Sequence, residues 1–224
     1  SITNGFVQCF LEDKESNIWI GTTNGLDKFI RSSEIFLHFN FHLNTDDVNN
    51  ITSIVEDNDG SFWIGTEGGL IKFNPLNGII KHYHHDEINS KSLIHNQIFV
   101  IHLALNNDLW IGTNCGLDKF ERETESFLHY WRDPIYKPGF YKSGMSEKYC
   151  VTSIYEDHNR ILWIGTNGGL LEFNPQNGKF IHYKSNIQSE NFKFVGHTEY
   201  LGSKLSGNPL MLMCSENGLR IAVV

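Results

Sequence analysis

The sequence lacks the features that mark a membrane span, a nucleic-acid binder or a disulfide-stapled domain. No apolar run approaches the roughly 18 residues of a membrane-crossing helix. Positive charge is scarce, and a formal net charge of −8 argues against nucleic acid or an anionic membrane surface as a partner. The four cysteines form no CxxC motif, so we expect buried or half-buried thiols. They are Cys9, Cys115, Cys150 and Cys214.

The sequence does contain one motif in four similar copies, and one of these is LWIGTNGGLLEFNP at residues 162–175. Its tryptophan recurs at intervals of 44, 47 and 53 residues, and a fifth, degenerate copy has Leu212 in its place. Glycine follows six residues later and leucine seven residues later in all five copies. The markers are Trp19, Trp63, Trp110 and Trp163. A period of about 40–50 residues predicts an array of similar supersecondary units.

Each copy can be read as four β-strands. A β-branched run begins the unit, and a continuous apolar run such as ILWIGT is typical of a strand covered on both faces. The segments GLLEF and KFIHY supply strands three and four. Pairs such as Gly168-Gly169 predict a type I′ hairpin between strands two and three. The predicted first strands cover 7–13, 51–57, 98–104 and 151–157.

Four-stranded antiparallel meanders repeated about five times predict an all-β fold, the β-propeller. The repeated tryptophan and leucine are expected to fill the space between neighbouring blades. We predict one domain over 1–224, and an incomplete propeller because the fifth copy has no fourth strand. The predicted blades cover approximately 1–40, 41–84, 85–131, 132–184 and 185–224.

The length of the repeat varies in one place, the connection from the fourth strand of one blade to the first strand of the next. From the histidine 19 residues after each tryptophan to the next marker there are 25, 28, 34 and 30 residues. Because a meander alternates ends, these connections should share one rim with the glycine hairpins. Variable loops on a rigid scaffold usually carry function. We therefore expect ligand contacts from 40–49, 84–97, 131–149 and 184–194.

The longest of these loops is also the most aromatic, WRDPIYKPGFYKSGMSEKYC at 131–150. Amphipathic rings with interspersed hydrogen-bond donors suit stacking on sugar rings or gripping a peptide. The alternative is that the rings only pin a long loop to the propeller. The predicted ligand-binding residues are Trp131, Tyr136 and Tyr141 for stacking, and Arg132 and Lys137 for hydrogen bonding.

The histidines do not indicate a metal site, and we predict neither metal nor cofactor. His84 and His85 are adjacent, and neighbouring side chains on an extended chain point apart, so 84–97 is expected to be a solvated loop. The histidines that recur with the repeat belong to different blades and cannot converge on one ion; we expect them to be hydrogen-bonded or exposed. They are His38, His82, His129 and His182.

The repeat pattern S/T-x-I-x-E-D-x-x-G-x-x-W-I-G-T-x-G-G-L-x-x-F-N-P resembles the two-component regulator propeller repeat. HHDEINSKSLIHNQIF also resembles that family's connector. The resemblance covers essentially the whole chain and is weakest in copy five, while copy three departs with Leu103-Ala104 in place of Glu-Asp. It implies an extracytoplasmic sensor region of a bacterial hybrid two-component system, on the periplasmic or extracellular side. It further implies an oligosaccharide ligand, a downstream kinase and a homodimeric parent receptor.

Three functions remain open at this point: a ligand-sensing module, a protein-interaction or dimerisation platform, and a polysaccharide lyase. An enzyme would need an acid and a base that converge on one face. His84, His95, Tyr136 and Tyr141 are candidates, but no spacing singles them out. We therefore expect a sensing module without enzymatic activity of its own.

Overall fold

The computed structural model describes residues 1–2, 5–41, 46–130, 150–166, 169–183, 199–200, 210–215 and 218–223, with backbone alone from 199 onward. The chain divides into two compact units, Ser1–Trp131 and Arg132–Val224. Within the described ranges every regular element is a β-strand except one 3-10 turn, Asp46–Asn49. The all-β prediction is confirmed.

The first unit contains three four-stranded antiparallel sheets, each a meander in chain order. Blade one consists of β1 (Val7–Glu12), β2 (Ile18–Thr22), β3 (Gly25–Ile30) and β4 (Ile35–Phe39). Blade two consists of β5 (Ile51–Glu56), β6 (Phe62–Thr66), β7 (Gly69–Asn74) and β8 (Ile79–Tyr83). Blade three consists of β9 (Ile98–Leu103), β10 (Leu109–Thr113), β11 (Gly116–Glu121) and β12 (Ser126–Tyr130).

The second unit contains a further sheet of the same kind and a three-stranded one. Blade four consists of β13 (Val151–Glu156), β14 (Leu162–Thr166), β15 (Gly169–Asn174) and β16 (Lys179–Tyr183). The three-stranded sheet consists of β17 (Glu199–Tyr200), β18 (Leu210–Ser215) and β19 (Gly218–Val223). Four-stranded antiparallel meanders of this kind are the blades of a β-propeller, as predicted.

The hairpin between the second and third strands differs from the prediction by one residue. In blade two, Thr66 pairs with Gly69, so Glu67 and Gly68 form the turn and the glycine begins β7. Thr66 Oγ1 accepts the Gly68 N–H at 3.0 Å and donates to the Gly69 carbonyl at 2.8 Å, which closes the turn around the threonine. The type I′ assignment was therefore wrong: positive φ is required at Gly69, where it is 130°.

The repeated tryptophans pack between blades one, two and three as predicted. The ring of Trp19 in blade one lies 4.5 Å from Phe62 of blade two, and Trp63 in blade two lies 4.8 Å from Phe120 of blade three. Both tryptophans are fully buried, and Trp110 and Trp163 are buried as well. Aromatic rings at these separations stabilise the sheet-to-sheet contact beyond the burial of apolar area.

Candidate ligand-binding rim

The strand ends of blades one to three form two rims. The hairpin rim carries the turns at 23–24, 67–68 and 114–115, together with the start of each first strand. Backbone bonds tie these features together: Glu67 N–H donates to the Asn50 carbonyl at 3.3 Å, and Asn114 N–H to the Gln97 carbonyl at 3.0 Å. The predicted sharing of one rim by hairpins and blade connections is therefore confirmed here. The far rim carries the turns between first and second strands.

The residues predicted to bind ligand do not fall within the described part of the chain. Trp131, Arg132, Tyr136, Lys137 and Tyr141 lie outside the described residues, as do the predicted contact ranges 131–149 and 184–194 and residues 42–45. Their assignment as ligand contacts stays a prediction. The connection that is described in full is 84–97, between blades two and three.

Connector 84–97 is a loop with a solvated tip, as predicted, but its base is packed against the blades. Leu93 is fully buried in the cluster that contains Trp63 and Ile98. The His85 N–H donates to Asn96 Oδ1 at 2.6 Å, and the His85 ring bonds through Nδ1 to the Leu93 carbonyl at 2.6 Å. The prediction missed the packed base, because the sequence does not show that Leu93 is buried in the core.

The tip of the connector is exposed. The side chains from Glu87 to Lys91 all face solvent, and Ile88 is 95% exposed. An apolar side chain so exposed on a firmly held loop is available to an external molecule. The connector therefore combines a rigid base with a contact surface on the hairpin rim.

Blade three holds the connector from the side. The Ile94 N–H donates to Asp118 Oδ2 at 2.8 Å, and the Phe127 N–H donates to the Lys91 carbonyl at 2.9 Å. His129 bonds through Nδ1 to Asp118 Oδ1 at 2.6 Å and through Nε2 to the Ser90 carbonyl at 3.0 Å. The expectation that the recurrent histidines are hydrogen-bonded is confirmed for His129.

Two other recurrent histidines are also hydrogen-bonded, one to a carboxylate and one to a backbone carbonyl. In blade one, His38 Nδ1 lies 2.6 Å from Asp27 Oδ1, the same arrangement as in blade three. In blade two, His82 Nε2 bonds to the Gly68 carbonyl at 2.9 Å. The buried aspartates Asp27 and Asp118 were missed from the sequence. The signal was available, since both stand eight residues after a repeat tryptophan.

The titratable groups of this rim are shifted by burial and by each other. Burial raises the pKa of Asp118, against the opposing effect of its bond to His129. Burial alone would lower the pKa of His129, but the hydrogen bond and charge of Asp118 outweigh it and raise that pKa above its ordinary 6.5. Burial lowers the pKa of His95, whose Nδ1 accepts the Gln97 N–H at 2.9 Å. His95 therefore maintains the loop as a neutral acceptor.

The far rim carries a second feature that was missed, a buried carboxylate under the repeat tryptophan. Asp57 Oδ2 accepts the Nε1–H of Trp63 at 2.7 Å, and Arg122 of blade three reaches both Asp57 oxygens at 2.7 and 3.2 Å. Burial favours a higher pKa for Asp57, but the bonds to Arg122 and Trp63 hold it below its ordinary 3.8. Lys72 lies 5.2 Å above the Trp63 ring. These groups stabilise the blade.

Potential metal ligands do not gather anywhere among the residues with described positions: no three His, Cys, Asp or Glu side chains are grouped as a metal site requires. Over the same residues, no helix has the length and apolar character needed to cross a bilayer. The Cys9 and Cys115 side chains are half-buried and that of Cys150 is buried, as expected. Burial raises the pKa of Cys9 to about 12, so this thiol is unreactive.

Four-stranded meanders that repeat along the chain, with a buried tryptophan in each, define this chain as a β-propeller protein. Three of its segments, residues 1–24, 46–68 and 145–168, match the family model described as two component regulator propeller. These matches confirm the resemblance to two-component regulator propeller repeats that was found in the sequence. No curated protein matches it in sequence.

Solved structures share this fold. The extracellular domain of hybrid two component system BT3049 from B. thetaiotaomicron matches with a TM-score of 0.60 and 20% identity, over 100% of this chain and 34% of that one. The corresponding domain of BT4673 matches with a TM-score of 0.65 and 21% identity, over 98% and 32%. Virginiamycin B lyase from Staphylococcus aureus matches with a TM-score of 0.65 and 14% identity, over 100% and 71%. The chain spans about a third of the length of the two-component relatives.

Proposed function

We propose that this chain is a ligand-sensing module of a bacterial signalling receptor. It binds an oligosaccharide on its hairpin rim, on the periplasmic or extracellular side of the membrane, and the parent receptor relays binding to a kinase. The family repeats and the likeness to extracellular domains of hybrid two-component systems support this proposal. The observation that carries it is connector 84–97, which presents an exposed tip on a packed base.

On the far rim, the charged groups beside the repeat tryptophans are engaged within the protein. Asp57 is occupied by Trp63 and Arg122. Lys119 forms an ion pair with Asp108 at 2.9 Å. Groups already paired with one another bring little new interaction energy to a ligand, since binding would first have to break those bonds.

We assign the main contacts to the aromatic loop that follows blade three. Trp131, Tyr136 and Tyr141 would stack on sugar rings, while Arg132 and Lys137 would donate hydrogen bonds to hydroxyl groups. Rings of this kind supply large contact area at low entropic cost. On the hairpin rim of blades one to three, the exposed tip of connector 84–97 would form a further contact.

A direct test uses the purified chain and a panel of neutral and acidic oligosaccharides on an array, followed by calorimetry of any hit. Ile88→Ser on the hairpin rim and Leu76→Ser on the far rim are matched variants, because the two side chains are 95% and 92% exposed. We expect Ile88→Ser to weaken binding by at least about fivefold and Leu76→Ser to leave it unchanged. Equal effects would rule out the hairpin rim as the binding face.

The aromatic loop is tested in the full-length receptor. Trp131→Ala and Tyr141→Ala should each weaken the signalling response to the oligosaccharide without lowering the unfolding temperature of the propeller. If both leave the response intact while Leu76→Ser abolishes it, the far rim is the binding face. The same preparations, measured by light scattering, should show the receptor as a homodimer.

The proposal includes no catalysis. The likeness to virginiamycin B lyase concerns the fold, at 14% identity. Incubation of the chain with the array hits, followed by mass spectrometry, should show each oligosaccharide unchanged. A cleaved or unsaturated product would replace the sensing proposal with a lyase.

A further inference from the structure

The ring of His129 lies between two hydrogen-bond acceptors. Its Nδ1 lies 2.6 Å from Asp118 Oδ1, and its Nε2 lies 3.0 Å from the Ser90 carbonyl oxygen. A neutral imidazole carries one N–H and can donate to only one of them. Both bonds form when the ring is protonated beside the carboxylate, or when Asp118 carries the proton and donates it to Nδ1. In either case the Asp118–His129 pair holds one proton more than an isolated carboxylate and an isolated neutral imidazole would hold together.

This proton connects blade three to connector 84–97. The carboxylate of Asp118 also accepts the Ile94 N–H, and the Ser90 carbonyl adjoins Lys91, whose own carbonyl accepts the Phe127 N–H. Asp118 is fully buried, while His129 is 27% exposed and can exchange its proton with solvent. The connector is thus held at two ends: the Ile94 end by the carboxylate, and the Ser90–Lys91 end by the imidazole together with the Phe127 N–H.

We propose that Asp118 and His129 are positioning residues that act as a proton-carrying latch for connector 84–97. With the proton bound, the latch holds both points of the connector on the hairpin rim. When the proton leaves, His129 keeps its Nδ1–H on Asp118, and its Nε2 turns a lone pair toward the Ser90 oxygen. The Ser90–Lys91 end then loses the imidazole bond and is held more weakly, through the Phe127 N–H, while the Ile94 end stays on the carboxylate.

The surroundings of the pair support this proposal. Among described residues, the titratable groups that face Asp118 are His129 on β12 and His85 on the connector. The titratable group that faces His129 is Asp118, and the Ser90 carbonyl is its second hydrogen-bond partner. The pKa of His129 is raised, so the folded chain binds this proton more tightly than an ordinary imidazole does. The stability that this proton gives to the folded chain is fully present below pH 6.5 and is lost as the pH rises through the raised pKa of His129.

Blade two supplies an internal control. The position of Asp118 is occupied there by Ile71, and His82 faces one acceptor, the Gly68 carbonyl at 2.9 Å. Burial leaves His82 with a lowered pKa, whereas the net pKa of His129 is raised. One neutral tautomer satisfies His82, so its bond should persist across the range in which the latch opens.

The experiment is nuclear magnetic resonance on the purified chain between pH 5.5 and 9, without ligand, so the outcome is independent of the sensing function. At low pH the ring nitrogen shifts of His129 should report a doubly protonated ring, or an Nε2–H tautomer beside a protonated Asp118, and at high pH the Nδ1–H tautomer. The shifts of His82 should report a pKa lower than that of His129. As His129 titrates, amide exchange at Phe127, corrected for its intrinsic pH dependence, should accelerate about tenfold. Exchange at Ile94 should change much less.

Asp118→Asn is the decisive variant. An asparagine can accept the Ile94 N–H through its oxygen and donate its amide N–H to a neutral His129, which then donates to Ser90. We expect the connector to stay docked and the pH dependence of Phe127 exchange to disappear. His129→Gln should remove the same pH dependence through the other member of the pair. Ring nitrogen shifts of wild-type His129 that show no change of protonation or of tautomer from pH 5.5 to 9, or Phe127 exchange that does not follow this change, would overturn the latch.

Discussion

Blades two and three share one backbone pattern but bury their carboxylates at opposite ends. Blade two buries Asp57 on the far rim and has Ile71 at the inner position near the hairpin. Blade three buries Asp118 near the hairpin and has Ala104 where the far-rim aspartate would stand. The repeat therefore tolerates an ionisable group at either end, provided that partners surround it.

Each carboxylate recruits a partner from a neighbouring element. Arg122 of blade three extends across the far rim to Asp57 of blade two, while the backbone of connector 84–97 comes to Asp118 on the hairpin rim. A buried charge without partners would be strongly unfavourable, so the position of the aspartate decides which rim is cross-linked. The difference shows that one or two residues per repeat individualise blades that are otherwise alike.

The largest expected effect is the loss of the tryptophan that both blades contact. Trp63→Ala should lower the free energy of unfolding by about 3–5 kcal/mol, because the ring fills the space between blades two and three against Phe120. Denaturant titration followed by circular dichroism measures it. A cost under about 1 kcal/mol would contradict the packing role of the repeat tryptophan.

Removing the far-rim carboxylate should come next. Asp57→Ala should cost about 2–3 kcal/mol, because it leaves the buried Trp63 N–H and the Arg122 guanidinium without their acceptor. Asp59→Ala, two residues away and 56% exposed, is the control and should cost at most about 1 kcal/mol. Equal costs in urea titrations would mean that burial of the carboxylate is irrelevant.

The cross-blade arginine should have a smaller effect. Arg122→Ala should cost about 1–2 kcal/mol through its bonds to Asp57 and the Asn107 carbonyl. Arg31 holds the same repeat position in blade one, where its pair with Glu12 is exposed, so Arg31→Ala should cost about 0–0.5 kcal/mol. A double-mutant cycle between Asp57 and Arg122 checks the assignment: additive costs would show that the two side chains do not interact.

The smallest effect is a difference in pH dependence between the two rims. The lowered pKa of Asp57 gives stability that is present above pH 3.8 and lost as the pH falls through the folded value. The raised pKa of His129 gives stability that is present below pH 6.5 and lost as the pH rises through the folded value, about 1 kcal/mol for one hydrogen bond. Thermal melts should show Asp57→Asn flattening the acid side of the profile and Asp118→Asn the alkaline side. If Asp57→Asn flattened the alkaline side and Asp118→Asn the acid side, the comparison between the two rims would be refuted.

Much of the fold was predictable because the copies of the repeat can be aligned with one another within this one sequence. The tryptophan interval identified the repeating unit, and its apolar runs and turns identified four strands per blade. The first strand of blade two, predicted at 51–57, is observed at Ile51–Glu56. The hairpin was placed one residue late because glycine content suggests a turn without revealing that Thr66 closes it. The candidate site was less predictable: connector 84–97 was read as solvated, although Leu93 anchors it.

The sequence by itself determined the architecture, since periodic apolar positions dictate which face of each strand is buried, and that pattern is local. It also located the variable connections and the rim that they share. The tertiary structure alone decided which polar groups meet: Arg122 and Asp57 are 65 residues apart along the chain, and Ile94 and Asp118 are 24 apart. Hydrogen bonds form within about 3 Å, a distance that spacing along a sequence does not encode. The rims of this propeller are distinguished by contacts that exist only once the blades have packed.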